Sequence, residues 1–194
     1  MIFVIMPLVQ GTRQFLPRAA VYAASVVIGG SVFFAAAALL GIAIWRTSFA
    51  AALIGVFALT CVFHEVGLIR LPLPSRSWQV PSAWLRAGPF RSAVAYGVVM
   101  GLGFLTRAPF ATYHAAVLWA FLSGSLVQGA TVGAAFGLAR AAALLLPRVV
   151  PTRDEGTREI AASEFLLRRA SSVHLVNATA LAVFAGALLA AAST

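Results

Sequence analysis

The chain has 194 residues, of which 61% are hydrophobic and only 10% are charged. Soluble domains average about 45 to 50% apolar and about 25% charged residues. This composition excludes an ordinary soluble domain and predicts an integral membrane protein. The formal net charge of +9 raises nucleic acid as a partner. No basic stripe is interleaved with stacking aromatic residues, however, so nucleic-acid binding is not expected.

The apolar residues fall into five windows, each long enough to cross a hydrocarbon core that requires about 20 helical residues. They predict an all-α, polytopic membrane bundle of about five transmembrane helices. We expect residues 1–18 to form a separate short apolar segment, because IFVIMPLV is too short to span and suits a re-entrant or half-helix. Residues 19–194 then form one transmembrane domain, with spans at about 19–44, 49–69, 93–122, 125–146 and 173–192.

The basic residues indicate the orientation of the chain. All fourteen are arginines, and most lie before the first span, between the second and third, and between the fourth and fifth. The other two loops contain only Arg46 in one case and no charge in the other. By the positive-inside rule, this asymmetry predicts a cytoplasmic N-terminus and an outer C-terminus. All-arginine usage is typical of a GC-rich bacterial genome, so the expected location is the bacterial cytoplasmic (inner) membrane.

The third window is interrupted by GLGFLTRAPFATYH at residues 101–114. Charge at the middle of a span is expensive, and a proline removes a backbone hydrogen bond and kinks the helix. We therefore predict that the third helix is broken near Pro109. Arg107 would donate to the carbonyl oxygens freed by the break, or contact water, lipid phosphate or an anionic ligand. His114 shares the face of Arg107 and would extend a polar pathway or be satisfied by a neighbour.

Glu65 is the only acid placed inside a predicted span, at the cytoplasmic end of the second. Arg140 comes late in the fourth span, which returns toward the same side. Their similar depth predicts a Glu65–Arg140 ion pair.

Small residues indicate how the spans pack. Gly129, Gly133 and Gly137 recur every four residues, as do Gly97 and Gly101. Such faces let helix backbones approach closely in a membrane. They predict either packing inside the bundle or a self-association face.

The remaining polar residues offer little chemistry. Cys61 and His64 share a helical face, but only His174 could join them, and a tetrahedral metal site needs three or four ligands. His64 and His114 lie at different depths, which argues against a bis-histidine haem. One cysteine cannot form an intramolecular disulfide. The sequence contains no Ser/His/Asp set, nucleotide loop or paired carboxylates, so no catalytic residue, cofactor or metal is expected.

The order of features resembles the transmembrane family of cytochrome c biogenesis and thiol:disulfide interchange proteins, of the CcdA and DsbD type, within the wider LysE-like exporters. Four stretches are similar to helices of that family: RAAVYAASVVIGGSVFFAAAALLGI, FAAALIGVFALTCVFHEVGLIRLPLP, AVAYGVVMGLGFLTRAPFATYHAAVL and GATVGAAFGLARAAALLLP. The family has Pro-Cys where this chain has TRAPF, and the first-repeat helix with its own Pro-Cys is missing. The resemblance therefore implies the fold and no dithiol chemistry.

Three functions remain open. The first is a membrane subunit or scaffold of a larger assembly, with the lipid bilayer and other membrane subunits as partners. The second is a small transporter or channel-like subunit with a polar pathway at the broken third helix, because discontinuous helices build many transporter sites. The third is a redox partner that uses the cysteines of another chain.

Overall fold

The computed structural model describes residues 15–42, 49–73, 84, 88–104, 110–142 and 170–192. Within these ranges the chain is helical and contains no strand, as the apolar windows predict. The helices are α1 (Phe15–Ile42), α2 (Phe49–Glu65), α3 (Pro89–Leu102), α4 (Thr112–Ser123), α5 (Leu126–Ala142) and α6 (Ala170–Ala192). The segment 1–14, for which a half-helix is predicted, lies outside the described residues.

Helix α1 is the centre of the bundle, and α5 packs antiparallel against it. A Cβ atom on Gly129 would lie 2.7 Å from the carbonyl oxygen of Phe34, and one on Gly137 would lie 2.8 Å from that of Val26. Between them, a Cβ on Gly133 would lie 2.2 Å from the carbonyl oxygen of Gly30. No side chain fits between these two backbones, so this glycine face packs inside the bundle, as one of the two alternatives predicts.

Helix α3 packs on α1 in the same way but runs parallel to it. A Cβ on Gly97 would lie 2.8 Å from the carbonyl oxygen of Tyr22, and one on Gly101 would lie 2.3 Å from that of Val26. Both predicted glycine faces are therefore buried against α1. Helices α1, α3 and α5 are called the glycine-packed trio below.

Helices α2 and α6 form an antiparallel pair beside the trio. Gly55 of α2 lies against Leu189 near the end of α6, whereas Glu65 at the end of α2 meets His174 near the start of α6. Helix α4 lies between the pair and α1. The core between α2, α4 and α6 consists of small and aliphatic side chains: Ala58, Cys61, Ala111, Ala115, Leu181 and Ala185.

Two of the described helices are individually long and apolar enough to cross a membrane. They are Leu16–Ile42, with a mean hydropathy of 2.2, and Ser171–Ala190, with 1.9. The sequence predicts five such spans, and the structure differs for a physical reason. The third window is divided into α3 and α4, and α2 and α5 each have 17 helical residues.

The helix directions nevertheless follow the predicted alternation. Helix α4 runs parallel to α1, since Tyr113 packs on Phe34 and Phe121 lies against Gly41. Helices α3 and α4 therefore run in the same direction, one after the other along α1. Helices α2 and α5 run in the opposite direction to α1, α3, α4 and α6.

Candidate functional site

Polar side chains from several helices lie at the end of α3 and at the start of α4. Helix α3 ends at Leu102, and Gly103 follows with a φ of 73°, a conformation that favours glycine. A Cβ at Gly103 would also lie 2.4 Å from the ring of Tyr113. The third predicted span is thus interrupted, and α3 ends at Leu102, seven residues before Pro109. Arg107 and Pro109, the residues predicted to make and hold the break, lie outside the described residues.

The C-terminal end of α3 is satisfied by two side chains from other helices. The hydroxyl of Tyr113 donates to the carbonyl oxygen of Leu102 at 2.9 Å. Nη1 of Arg140 donates to the carbonyl oxygen of Met100 at 3.2 Å, and its guanidinium lies 5.4 Å from the centre of the Phe136 ring. A cation here complements the negative end of the helix dipole and a carbonyl without a helical partner.

The N-terminal end of α4 is satisfied by an acid. The side chain of Glu65 is 1% exposed, and its Oε1 accepts a hydrogen bond of 2.6 Å from the N–H of Ala111, the residue before α4. A carboxylate at this position complements the positive end of the helix dipole. At the break, the two half-helices therefore contact groups of opposite charge. Arg140 binds the C-terminal end of α3, and Glu65 binds the N-terminal end of α4.

The second oxygen of Glu65 connects the break to α6. Nδ1 of His174 donates to Oε2 of Glu65 at 2.6 Å, and the side chain of His174 is 44% exposed. Its ring meets that of Phe110 edge-on at 5.3 Å. His174 thus has one side on the buried carboxylate and the other at the surface of the bundle.

A second polar contact between the break and α6 lies three residues after His174 on α6 and one residue after Ala111 at the start of α4. The hydroxyl of Thr112 donates to Oδ1 of Asn177. Within the described part of the chain, the amide nitrogen of Asn177 is buried and has no hydrogen-bond partner. The start of α6 is therefore attached to the start of α4 through Glu65, His174, Thr112 and Asn177, which we call the polar junction.

Contacts with α1 give the depth of the break. Gly101, near the end of α3, lies against Gly30, and Tyr113, near the start of α4, packs on Phe34 with ring centres 6.0 Å apart. Both contacts are near the middle of α1, which begins at residue 15 and ends at residue 42. The buried carboxylate is thus near the middle of the longest helix.

These positions alter the predicted pairing of Glu65 with Arg140. The sequence places the two at one depth, but the structure gives them different partners. Glu65 binds Ala111 and His174, whereas Arg140 binds Met100. The physical reason is that each charge satisfies the end of a different half-helix. His114 is half-buried in α4, with its ring edge-on to Tyr113 at 5.3 Å.

His174, which binds Glu65, and Asn177, which binds Thr112, are site residues whose partners the sequence does not predict. Both were visible as the first polar residues of the predicted fifth span. Because α2 and α6 run in opposite directions, the end of one must meet the start of the other. The signal was present, but it required knowing that α2 and α6 are neighbours.

Cys61 and His64 have structural surroundings. Cys61 is fully buried in the core between α2, α4 and α6. Nδ1 of His64 accepts a hydrogen bond of 3.1 Å from the N–H of Leu71 and so secures the chain after α2. In the part of the chain that the structure describes, no three His, Cys, Asp or Glu side chains are placed to share a metal ion.

Comparison with known proteins gives two relatives. The chain is 30% identical over 120 residues to a protein of Paracoccus versutus and 31% identical over 188 residues to one of Methylorubrum extorquens. Both are methylamine utilization proteins, named MauF. The first match covers 61% of this chain and 44% of the relative, and the second covers 94% and 62%. The chain thus spans less than two thirds of either relative.

These relatives correct the resemblance to the CcdA and DsbD type. Both relatives are named MauF, and neither is a CcdA or DsbD protein. The four stretches that resemble the CcdA and DsbD type are glycine-rich and aliphatic, a pattern that any tightly packed membrane bundle shares. No protein-family model matches the chain. No solved structure matches it either.

Proposed function

We propose that the chain is a membrane-embedded subunit or scaffold of a larger assembly that serves methylamine utilization. The similarity to MauF over 94% of the chain supports this proposal most directly. The apolar surface supports a place in the membrane, since Leu175, Val176 and Val183 of α6 are 63 to 70% exposed. The polar side chains at the break also support a scaffold, because they join α2, α4 and α6 to one another and α5 to α3.

The orientation proposed from the arginines belongs to the same model. The N-terminus lies in the cytoplasm, the C-terminus lies outside, and the chain crosses the inner membrane of a bacterium with α3 and α4 as two halves of one passage. A reporter fused after Thr194 is expected to report from the outer side, and one inserted within residues 152–160 from the cytoplasm. Both reporters on one side would contradict this orientation.

Growth and copurification test the scaffold directly. Deleting the gene in its host is expected to impair growth on methylamine as the nitrogen source and to leave growth on ammonium unchanged. The tagged wild-type chain should restore growth and be recovered in mild detergent with a companion at a fixed ratio. Unimpaired growth on methylamine, or a chain recovered alone and monomeric, would contradict the proposal.

Two variants serve as controls in that experiment. Gly133→Leu places a large side chain between α5 and α1, so it should lose the fold, growth and the companion together. Cys61→Ser should retain all three. Loss of the companion in Cys61→Ser, with Cys61 trapped in a mixed disulfide, would instead support a redox partner. The complete burial of Cys61 counts against that third function.

A small transporter or channel-like subunit is the second candidate, favoured by the break itself. Many transporters build a midplane site from half-helices whose ends face a polar cavity. Here the two half-helices end near the middle of α1, beside a buried carboxylate. Arg107, Pro109 and His114 would belong to the same pathway. Methylammonium or proton flux into proteoliposomes that is lost in Glu65→Gln would favour this candidate, and no flux above empty vesicles would exclude it.

A further inference from the structure

Glu65 is a buried acid with a defined hydrogen-bonding environment. Ionisable residues inside membrane bundles are costly, and they commonly mark ion or proton pathways. Both oxygens of Glu65 are engaged, Oε1 with the N–H of Ala111 and Oε2 with His174. It is also the only acid among the residues that the structure describes. The carboxylate is therefore held by two donors and screened from the surroundings.

His174 is more exposed than Glu65, so a proton from outside the bundle would reach His174 first. The Glu65 side chain is 1% exposed and that of His174 is 44% exposed, while the two are joined by one hydrogen bond of 2.6 Å. Histidine is the side chain that most readily gains and loses a proton near neutral pH. A proton can reach the carboxylate through the imidazole without water entering the core.

We propose that Glu65 and His174 form a proton-binding pair, in which His174 passes protons between the surface of the bundle and the buried carboxylate. The proton on Nδ1 moves to Oε2 and converts an imidazolium and a carboxylate into a neutral imidazole and a carboxylic acid. The imidazolium itself forms when a hydronium ion at the surface protonates Nε2 of a neutral His174, so the imidazole that remains after the transfer carries its proton on Nε2, and the net change is one proton taken up by Glu65. No electrons are transferred, and the only ligand is the proton.

Among the residues that the structure describes, α2, α4 and α6 each bring polar groups close to the pair. Helix α2 adds Cys61, one turn before Glu65, and the neighbouring His64, whose Nδ1 is occupied by Leu71. The segment before α4 contributes the N–H of Ala111. On α6, Asn177 lies three residues after His174 and accepts a hydrogen bond from Thr112.

Proton binding is coupled to the break and to α6. A protonated Glu65 no longer places a negative charge at the start of α4 and no longer forms an ion pair with His174. Both contacts that join α2 to the break and to α6 weaken together. This inference goes beyond the scaffold function and does not depend on it.

Infrared spectroscopy of the purified chain in detergent tests the pair. Lowering the pH should produce the C=O band of a protonated carboxylic acid, and one component of that band should be missing in Glu65→Gln. In His174→Asn the same component should appear at a different pH from wild type, because the variant lacks the ring that hydrogen-bonds to Oε2 and passes the proton. Glu159→Gln, which changes an acid between α5 and α6 in the sequence, should leave this component unchanged.

The outcomes distinguish a proton site from a structural contact. A component that titrates at the same pH in wild type and His174→Asn would overturn the proposal, as would a wild-type spectrum identical to that of Glu65→Gln. If Glu65→Gln does not fold, the component that moves between wild type and His174→Asn identifies the site. The result also separates this proposal from the scaffold, since the scaffold is tested by growth and copurification alone.

Discussion

The glycine-packed trio and the α2–α6 pair show two ways of holding helices together in an apolar solvent. In the trio, α3 and α5 approach α1 so closely that an added methyl group would meet backbone atoms. In the pair, α6 packs on α2 along one face and reaches α4 through the polar junction. Since the hydrophobic effect between helices is absent in lipid, close packing and hydrogen bonds provide the stability. The trio is held by close packing, and α6 depends more on hydrogen bonds.

A comparison of two glycines, Gly186 in α6 and Gly133 in α5, shows how the two regions differ in packing. Among the described residues, a Cβ on Gly186 in α6 would meet nothing within 4 Å, whereas one on Gly133 would lie 2.2 Å from a carbonyl oxygen. The same residue is thus required in one region and optional in the other. We expect the trio to behave as a fixed frame, and the start of α6 to be the part that responds to changes in charge.

The largest effect is expected from Glu65→Ala. It leaves the N–H of Ala111 and the ring of His174 without their acceptor, and a buried donor left without its partner costs about 1 to 3 kcal/mol, or more where the lost partner is charged. Unfolding in mixed micelles measures the loss. Glu65→Gln keeps the size and one acceptor oxygen, so it should lose less. Equal stability of Glu65→Ala and wild type would show that the polar junction does not hold α6.

Gly133→Ala should have the next largest effect. The new methyl group forces α5 away from α1, and overpacking of this kind costs about 1 to 3 kcal/mol. Gly186→Ala is the matched control, because it makes the same change on an open face and should not lower stability. If both variants were equally stable, close contact between α1 and α5 would be contradicted.

Arg140→Met tests the other end of the break. It removes the donor to the Met100 carbonyl oxygen, and a hydrogen bond from a charged group contributes about 1.5 kcal/mol or more. Arg91→Met, on an exposed site in the first turn of α3, should change stability little. A larger loss in Arg91→Met than in Arg140→Met would be inconsistent with a guanidinium that satisfies the end of α3.

Cys61→Ser should have the smallest effect. The serine hydroxyl can donate to a carbonyl oxygen of its own helix, so the cost of burying it is modest, about 1 kcal/mol or less. Growth on methylamine and recovery of the companion should be unchanged. Loss of growth with normal stability would show that the thiol has a chemical role.

The sequence predicts the packing of the glycine-packed trio better than it predicts the contacts of the polar junction. The glycine periodicity of α5 and α3 predicts close backbone packing, since only glycine permits it, and the structure places both faces against α1. Hydropathy predicts α1 as residues 19–44, and the helix begins at residue 15 and ends at residue 42. The interruption at residues 101–114 is also found, although Gly103 and not Pro109 ends α3. Local residue types determine each of these features.

The partners of Glu65 could not be predicted in the same way. Depth alone made Arg140 the expected partner, because hydropathy gives the position of a residue along a span and nothing about which helices are neighbours. Packing places α6 beside α2, and this neighbour relation selects His174. The number of membrane-length helices was wrong for a related reason, since apolar windows do not show where a helix ends.

A double-mutant cycle measures this neighbour relation most directly. The first cycle combines Glu65→Gln with His174→Asn, and the second, for comparison, combines Glu65→Gln with Arg140→Met. The free energy of unfolding is measured for every single and double variant in one detergent. The account predicts a coupling of about 1 kcal/mol between Glu65 and His174, and additivity within about 0.5 kcal/mol between Glu65 and Arg140. Additivity in the first cycle together with coupling in the second would contradict the account.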